Sequence, residues 1–529
     1  MSVQRIPYSE FGLGSKLIND LIAKNSNVVP LVSNFYSIDN LILQTNQVKK
    51  SGEHRQKLVQ VLIRQNKMLN LSEPSKKNIN DLANQNTFTV TTGHQLNLLT
   101  GPLFSIYKIA QTISICKALN SQDNTKNYVP VFWMATEDHD YDEINHLYLF
   151  GKKFEHQKSN QTEVISGALH TEGLDTLFEE IKSLYREDEV KLILTKLFDA
   201  YTKTSNWADA TRQLINHLFG EFGLVIIDGN DAELKRFMAP VFVQDVENKL
   251  TETEVNKTNQ LLESLNYHQQ VHLRDCNLFF IHPNSKRERI VREGDNFIFN
   301  NGSSSLTQLV ALINESPEKF SPNALLRPVY QEIVLPNIAY VGGGGEIAYW
   351  LQLKGVFNKL AVPFPLLRVR DSFITITQKE LDDSVELGLN LNELNVSVDV
   401  LAKQVLLTKS GDELSLAESK ASLDGVRKSV LEKASKVDKN LVTMVEAEFT
   451  KMNGALEKIE AKIVKAEKQK DVLLLKKIEK LKNKIYPNGI FQERHENFIP
   501  NYLKTTQFIN QLIDAVGHEE SPTVQVLIL

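Results

Sequence analysis

Only two cysteines, Cys116 and Cys276, occur in 529 residues. A chain of that length with so few is not a disulfide scaffold, and a reducing compartment is the natural expectation. No run of about 18 apolar residues is present to span a bilayer. The opening Met1-Ser2-Val3-Gln4-Arg5-Ile6-Pro7 lacks the apolar core of a signal peptide. These absences agree on a cytoplasmic protein with no membrane partner. Neither sign of charge dominates: 60 lysines and arginines stand against 65 acids, a net −5. Such a balance advertises no nucleic-acid surface. Gly-x-Ser-x-Gly, the Walker-type glycine loop and the dinucleotide fingerprint are also missing. Their absence excludes the common hydrolase elbow and two common nucleotide cradles.

What is present is a soluble globular composition, 42% hydrophobic and 24% charged, long enough for two or three structural units. The first eighty residues read as helices with polar linkers. Phe88-Thr89-Val90-Thr91 is a strand candidate, rich in β-branched residues. A helical pattern runs from Leu103 to Leu119. Tyr128 to Met134 is near-continuously apolar, as in a strand buried on both faces of a parallel sheet. Residues 88–134 therefore read as a strand-helix-strand unit. Leu224–Ile227, Leu278–Ile281 and Val362–Val369 are further buried-strand candidates, and an α/β sheet with helices on both faces is the economical reading. Two stretches look like insertions into it. In 146–222, His146–Phe150 and Glu163–Leu169 alternate like hairpin strands and Lys191–Phe222 is helical. In 265–300, short strands are closely spaced.

From about 375 to 485 the chain is proline-free and made of helix formers. Leu456, Ile459, Ile463, Ala466, Leu474, Ile478, Leu481 and Ile485 form a heptad seam interrupted at Gln469-Lys470. Residues 455–485 hold 10 lysines and 5 acids, a solvated basic face without interleaved aromatics, which argues against RNA. Pro487-Asn488-Gly489 ends the helix. The last seven residues, Thr523–Leu529, read as a strand returning to the main domain. The expected division is a sheet domain over 1–374, a helical domain over 375–486 and a return segment over 487–529.

Three constellations carry chemistry. Thr91-Thr92-Gly93-His94-Gln95 lies after a strand and before a helix, where open α/β sheets bind ligands. Glycine permits close backbone approach, the helix start offers unpaired N–H groups, and His94 can donate to a phosphate. The bland alternative is a turn glycine beside a capping histidine. The acidic run Glu137-Asp138-His139-Asp140-Tyr141-Asp142-Glu143, with His146 beyond, emerges at the same sheet edge. It suits binding of an amine or sugar hydroxyls, or general-base work by Asp138 or His139. Its spacing matches no closed zinc set, and no metal is predicted. Tyr340-Val341-Gly342-Gly343-Gly344-Gly345-Glu346, followed by Tyr349 and Trp350, can cradle an anion or simply form a flexible loop. Arg327, Arg368 and Arg370 are candidate clamps for a carboxylate or phosphate. Cys116 reads as core, and nothing supports reactivity at Cys276.

Taken together these segments resemble the bacillithiol-biosynthesis cysteine-adding enzymes. The resemblance rests on Thr92-Gly93-His94-Gln95 through Gly101-Pro102, Ala135–Asp140 with Glu143, and Leu326–Gln331. It continues through Leu335–Gly343 with Glu346–Trp350, Pro487–Gly489 and Gln492-Glu493-Arg494. It implies a Rossmann-like core with connecting-peptide insertions and a dimerising α-helical coiled coil. It also implies a reaction: joining the cysteine carboxyl to the amine of glucosaminyl-malate, the last step to bacillithiol. His94, Asp138, His139 and Glu143 become the catalytic candidates. Thr92, Gly93, Gln95, Asp140, Tyr340, Gly343, Glu346, Tyr349, Arg327 and Arg368 become binding candidates. Gln492 and Arg494 are candidates for a second nucleotide site, with ATP or ADP as the nucleotide.

A carboxylate is a poor acyl donor, so amide formation needs activation, most simply as an adenylate or acyl phosphate. In that scheme His94 stabilises phosphate charge. Asp138 or Asp140 binds the cysteine amine or the sugar, and His139 or Glu143 takes the amine proton. One departure stands against adenylation: no lysine-rich loop like that of the synthetase-like enzymes is found. Two other readings share parts of the pattern. One is a nucleotidyltransferase acting on another small molecule. The other is a coiled-coil assembly protein with a degenerate catalytic domain.

Overall fold

The computed structural model describes residues 3–157, 164–271, 273–410, 415–470 and 472–529. It divides into two compact units: residues 1–374 with 493–527, and residues 375–492 with 528–529.

The first unit is built on a five-stranded sheet. Its strands are β1 (Thr87–His94), β2 (Asn127–Met134), β3 (Val225–Asp228), β4 (Asn337–Gly342) and β5 (Leu366–Val369), in the spatial order β5-β4-β1-β2-β3. All four pairings are parallel. Parallel strands are covered on both faces, which is why β1, β2, β4 and β5 are buried almost throughout. Helix α1 (Phe104–Gln122) carries the chain from β1 to β2. Its Ile115, Cys116 and Leu119 pack with Phe88, Val90, Tyr128, Ile338 and Val341 in one buried cluster. Truncating any large member of such a cluster costs about 2–5 kcal/mol. Cys116 is thus core, as its helical position predicts.

The strand order matters for function. From β1 the chain moves outward through β2 to β3, then returns to place β4 on the other side of β1. The carboxyl ends of β1 and β4 therefore flank a topological switch point, the place where open α/β sheets leave a crevice for ligands. Two helices frame β4: α2 (Leu326–Val334) before it and α3 (Gly344–Leu351) after it.

Several expectations are corrected. Strand β4, next to β1 in the sheet, does not stand out in the sequence: it is six residues long and follows Pro336. Leu278–Ile281 is a strand but belongs to a separate antiparallel sheet with Arg287–Arg289 and Phe320–Pro322. In the first insertion, His146–Leu149 pairs with Lys152–Glu155. The expected partner segment is not a strand: Val164 makes an isolated bridge with Lys286, and Ser166–Ala168 is a single helical turn. Glu163 lies outside the described residues. The return strand Thr523–Ile528 exists and pairs antiparallel with Val3–Pro7.

The second unit is helical. Its long helices are Ala417–Val437 and Asn440–Lys470, joined at Asp438-Lys439 and packed on each other. Arg427 and Glu446 link them at 2.8 Å. The heptad seam is split. Leu474, Ile478, Leu481 and Ile485 are buried within this unit against Gln378–Leu387 and Val398–Ser410. Ile459 and Ile463 remain 49% and 36% exposed. Half of the seam therefore serves packing inside one chain.

Candidate functional site

The crevice at the switch point is a cavity of about 770 Å³. Gly93 and His94 from β1 line it, as do Glu137 and Asp138 after β2 and Gly343, Glu346 and Tyr349 after β4. Six arginines and one lysine face three carboxylates in the lining. The surplus of positive charge suits an anionic ligand.

The floor is a buried ion pair that the motifs do not announce. Lys108 of α1 sits 3.0 Å from both carboxylate oxygens of Glu346 and donates to the Gly93 carbonyl at 2.6 Å. The glutamate also accepts from the Gly343 N–H at 2.9 Å and from the Tyr340 hydroxyl at 3.2 Å. Burial alone would raise the Glu346 carboxyl, but the Lys108 charge and the Gly343 N–H hold it below its usual range. His94 lies against this pair, Nδ1 at 3.5 Å from Lys108 Nζ, its ring edge-on to Phe104. Burial, reinforced by the Lys108 charge, pushes its pKa down to about 3. The imidazole is thus neutral at physiological pH, and its Nε2 has no hydrogen-bond partner among the described residues.

The acidic run is organised by Gln95. Its Nε2 donates to Asp138 Oδ2 and to Glu143 Oε2, both at 2.7 Å. Asp138 Oδ1 accepts from the backbone of His139 and Asp140. Glu137 is drawn to buried Lys235 at 2.7 Å. His139 Nδ1 stands 3.2 Å from Arg287, whose guanidinium covers the Phe279 ring at 3.9 Å. Burial and then the Arg287 charge lower the His139 pKa. Glu143 lines a second cavity of about 420 Å³ with Asp142, His146 and His495; His94, Gln95, Phe104 and Arg494 border both.

Local backbone explains this placement. A Cβ at Gly93 would meet the Trp133 carbonyl at 3.3 Å, and Arg327 Nη1 passes 3.6 Å from that point. Glycine there lets β1 end tight against β2. The loop to α1 turns through Leu99, Thr100 and Gly101, all at positive φ. The Asn497 side-chain amide holds it by donating to the carbonyls of Leu99 and Gly101.

Most of the residues singled out from sequence converge: His94, Gln95, Asp138, Arg327, Tyr340, Gly343, Glu346, Tyr349 and Arg494 line the main cavity, with Glu143 in its neighbour. Others do not. Arg368 points into the core, bonded to the Val369 carbonyl and to Asp371 at 3.0 Å, with its side chain 1% exposed. It is a structural ion pair rather than a clamp. Arg370 lines the cavity and is held two-pronged by Glu493 at 2.6 and 2.8 Å. The Thr92 hydroxyl is spent on the Val341 carbonyl. Asp140 is exposed and outside the lining. Gln492 is buried, and its amide bonds Thr375 and the Lys484 carbonyl, which leaves nothing for a nucleotide. Arg274, Arg287 and Arg289 join the site from the 265–300 segment, and Lys108 from α1. A charged residue amid the buried run Ile106-Tyr107-Lys108-Ile109-Ala110 is the signal that could have singled out Lys108. Cys276 borders the cavity, but burial pushes its thiol up to about 12, so it stays protonated.

A parallel sheet with a cationic crevice at its switch point defines an enzyme of the Rossmann-like class. The particular family follows from comparison with known proteins. The model of the bacillithiol biosynthesis BshC N-terminal Rossmann-like domain matches residues 1–371, and that of the BshC C-terminal coiled-coil domain matches 373–527. The chain belongs to the BshC family. A protein named "Putative cysteine ligase BshC" from Flavobacterium psychrophilum is 40% identical over 538 residues, covering 100% of this chain and 99% of that one. Relatives of the same name from Cytophaga hutchinsonii and Bacillus anthracis are 36% and 31% identical. The first covers 97% of both chains, the second 87% of this chain and 88% of its own. A solved Campylobacter jejuni structure, titled a "putative arginyl tRNA synthetase", aligns over 84% of this chain and all of its own. At 12% identity and a TM-score of 0.21 it carries no argument.

Proposed function

We propose that this protein joins the carboxyl of cysteine to the amine of glucosaminyl-malate, the last step in making bacillithiol. The names of its relatives support the cysteine ligase reading, and the charge of the cavity supports an acidic co-substrate. The single observation that carries it is the pairing of two opposite environments across two cavities that share Gln95. Arg327 and the arginines of 265–300 suit the two malate carboxylates and any phosphoryl group used to activate cysteine. Asp138 and Glu143, held by Gln95, suit an amine. Amide formation requires that the attacking amine lose a proton, and Asp138 in the main cavity and Glu143 in its neighbour are the acceptors at hand. His139, the third acceptor expected from sequence, lines neither cavity, and its Nδ1 faces Arg287.

ATP or ADP as the activating nucleotide is part of the proposal. The unpartnered Nε2 of His94 and the arginine surplus fit its phosphates. The protein would then work in the cytoplasm as a homodimer joined through the exposed part of its helical seam, Ile459 and Ile463. Cells lacking the protein test the pathway. They should accumulate glucosaminyl-malate and hold no bacillithiol, whereas normal bacillithiol would contradict the proposal.

A further inference from the structure

Lys108 is a buried lysine with a defined task. It lies between Tyr107 and Ile109 on a stretch of α1 that is buried all round, and its own side chain is 1% exposed. An ammonium has three N–H donors and no acceptor. The surroundings offer three acceptors: the Gly93 carbonyl at 2.6 Å, the Glu346 carboxylate at 3.0 Å and His94 Nδ1 at 3.5 Å. A ring nitrogen facing an ammonium presents its lone pair, because a second proton there would set donor against donor. The proton of a neutral imidazole then belongs on the other nitrogen.

We propose that Lys108 is a positioning residue that locks His94 as the neutral Nε2–H tautomer, a fixed hydrogen-bond donor for an anionic substrate oxygen, carboxylate or phosphoryl. The proposal rests on reading the crevice as the substrate site. Three observations support it. Nε2 is buried and has no partner among the described residues, so its N–H is left for a ligand. Burial lowers the Lys108 pKa, and the charge and hydrogen bonds of the Glu346 carboxylate oppose that loss and favour the ammonium. The other charges near His94 divide: Arg370 opposes protonation, Lys108 opposes it more strongly, and Glu346 favours it. Asp142, Glu143, His146 and Arg494 border the smaller cavity that His94 also lines. In this role His94 moves no proton. It stabilises charge from a preset position, and the proton transfers of the reaction fall to the acidic run.

The test is nitrogen-15 labelling of histidine in the full-length protein, with the His94 signal identified by its loss in His94→Gln. Long-range proton–nitrogen correlations report which ring nitrogen carries the proton. In the unliganded protein the proton is expected on Nε2, with no titration between pH 5 and 8. Inorganic phosphate should shift the Nε2 signal without changing the tautomer. Lys108→Met removes the positive charge beside His94 and leaves Glu346 without its cation, so the His94 pKa should rise above its wild-type value of about 3, while burial still holds it below that of a free imidazole. Lys108→Met combined with Glu346→Gln removes both charges and guards against misfolding of the single variant. There the ring should stay neutral but lose its fixed tautomer. A wild-type ring protonated on Nδ1, or titrating between pH 5 and 8, overturns the proposal, as does a double variant with an unchanged tautomer. If the wild-type tautomer is as expected but His94→Gln keeps full ligase activity, the lock stands and the reading of His94 as a substrate donor fails.

Discussion

Lys108 Nζ and Glu346 Oε2 stand 3.0 Å apart, the lysine side chain 1% exposed and the glutamate 29%. The pair ties α1, which leaves β1, to α3, which leaves β4. It therefore bolts together the two strands that flank the crevice. Removing Lys108 leaves a part-buried carboxylate without its cation, so Lys108→Met should lose stability, by less than the roughly 3–5 kcal/mol of a fully buried pair. The double change with Glu346→Gln should lose less. The Glu346 carboxyl is held below its usual range, so its contribution is present above the unfolded-state value and lost as pH falls through the folded one. Urea unfolding from neutral to acid pH checks this: the wild type should weaken in acid more than the double variant, and equal slopes would refute it.

Gln95 is expected to matter through its two acceptors. Gln95→Leu leaves Asp138 and Glu143 without their shared donor. Each charge-assisted bond is worth about 1.5–3 kcal/mol, so kcat/KM should fall about ten- to a hundredfold. Circular dichroism should be unchanged. Normal kinetics in a folded variant would remove the acidic run from the mechanism.

Two arginines close in sequence pattern should separate by their effects. Arg327 lines the cavity and donates to the Tyr349 hydroxyl at 3.3 Å, whereas Arg368 is consumed in the core. Arg327→Lys should raise KM for the acidic substrate about tenfold, because lysine loses the planar fork. Arg368→Lys should lower the melting temperature and leave KM alone. Paired kinetic and thermal measurements decide it, and the reverse pattern would exchange their roles.

Much of this organisation was legible in the sequence. β-branched residues marked β1 and a continuous apolar run marked β2, and two motifs following them pointed to one sheet edge. What stayed hidden has physical causes. Strand β4 is too short to show a period apart from the proline and glycines around it. Arg368 and Arg370 sit two apart on the same short segment, and only the fold reveals which faces the cavity. Lys108 looked like one polar position in a helix because its partners lie 15 and 238 residues away. The heptad seam read as a partner surface, yet half of it is consumed inside the chain.

Glu332 of α2 provides a pH signature of the fold. Burial raises its carboxyl to about 7, against hydrogen bonds from Gln331 and Asn337 that lower it. A raised carboxyl favours the protonated form in the folded state. Its stabilisation is full below the unfolded-state value and lost as pH rises through about 7. Glu332→Gln should match the wild type near pH 4 and exceed its stability at pH 8.5 by about 1–3 kcal/mol. Denaturant titrations at the two pH values check it; a constant difference would contradict the assignment.

The most direct measurement of the central claim is product formation by the purified protein. Cysteine, glucosaminyl-malate and ATP are incubated with wild type and with His94→Ala, and the amide is followed by mass spectrometry. The wild type should form bacillithiol with matching nucleotide turnover, and His94→Ala should be slower by about 10²–10³-fold. Bacillithiol formed without nucleotide turnover would remove ATP and leave the ligase reading intact. Equal rates from the two proteins, or no amide from the wild type with either ATP or ADP, would contradict the account.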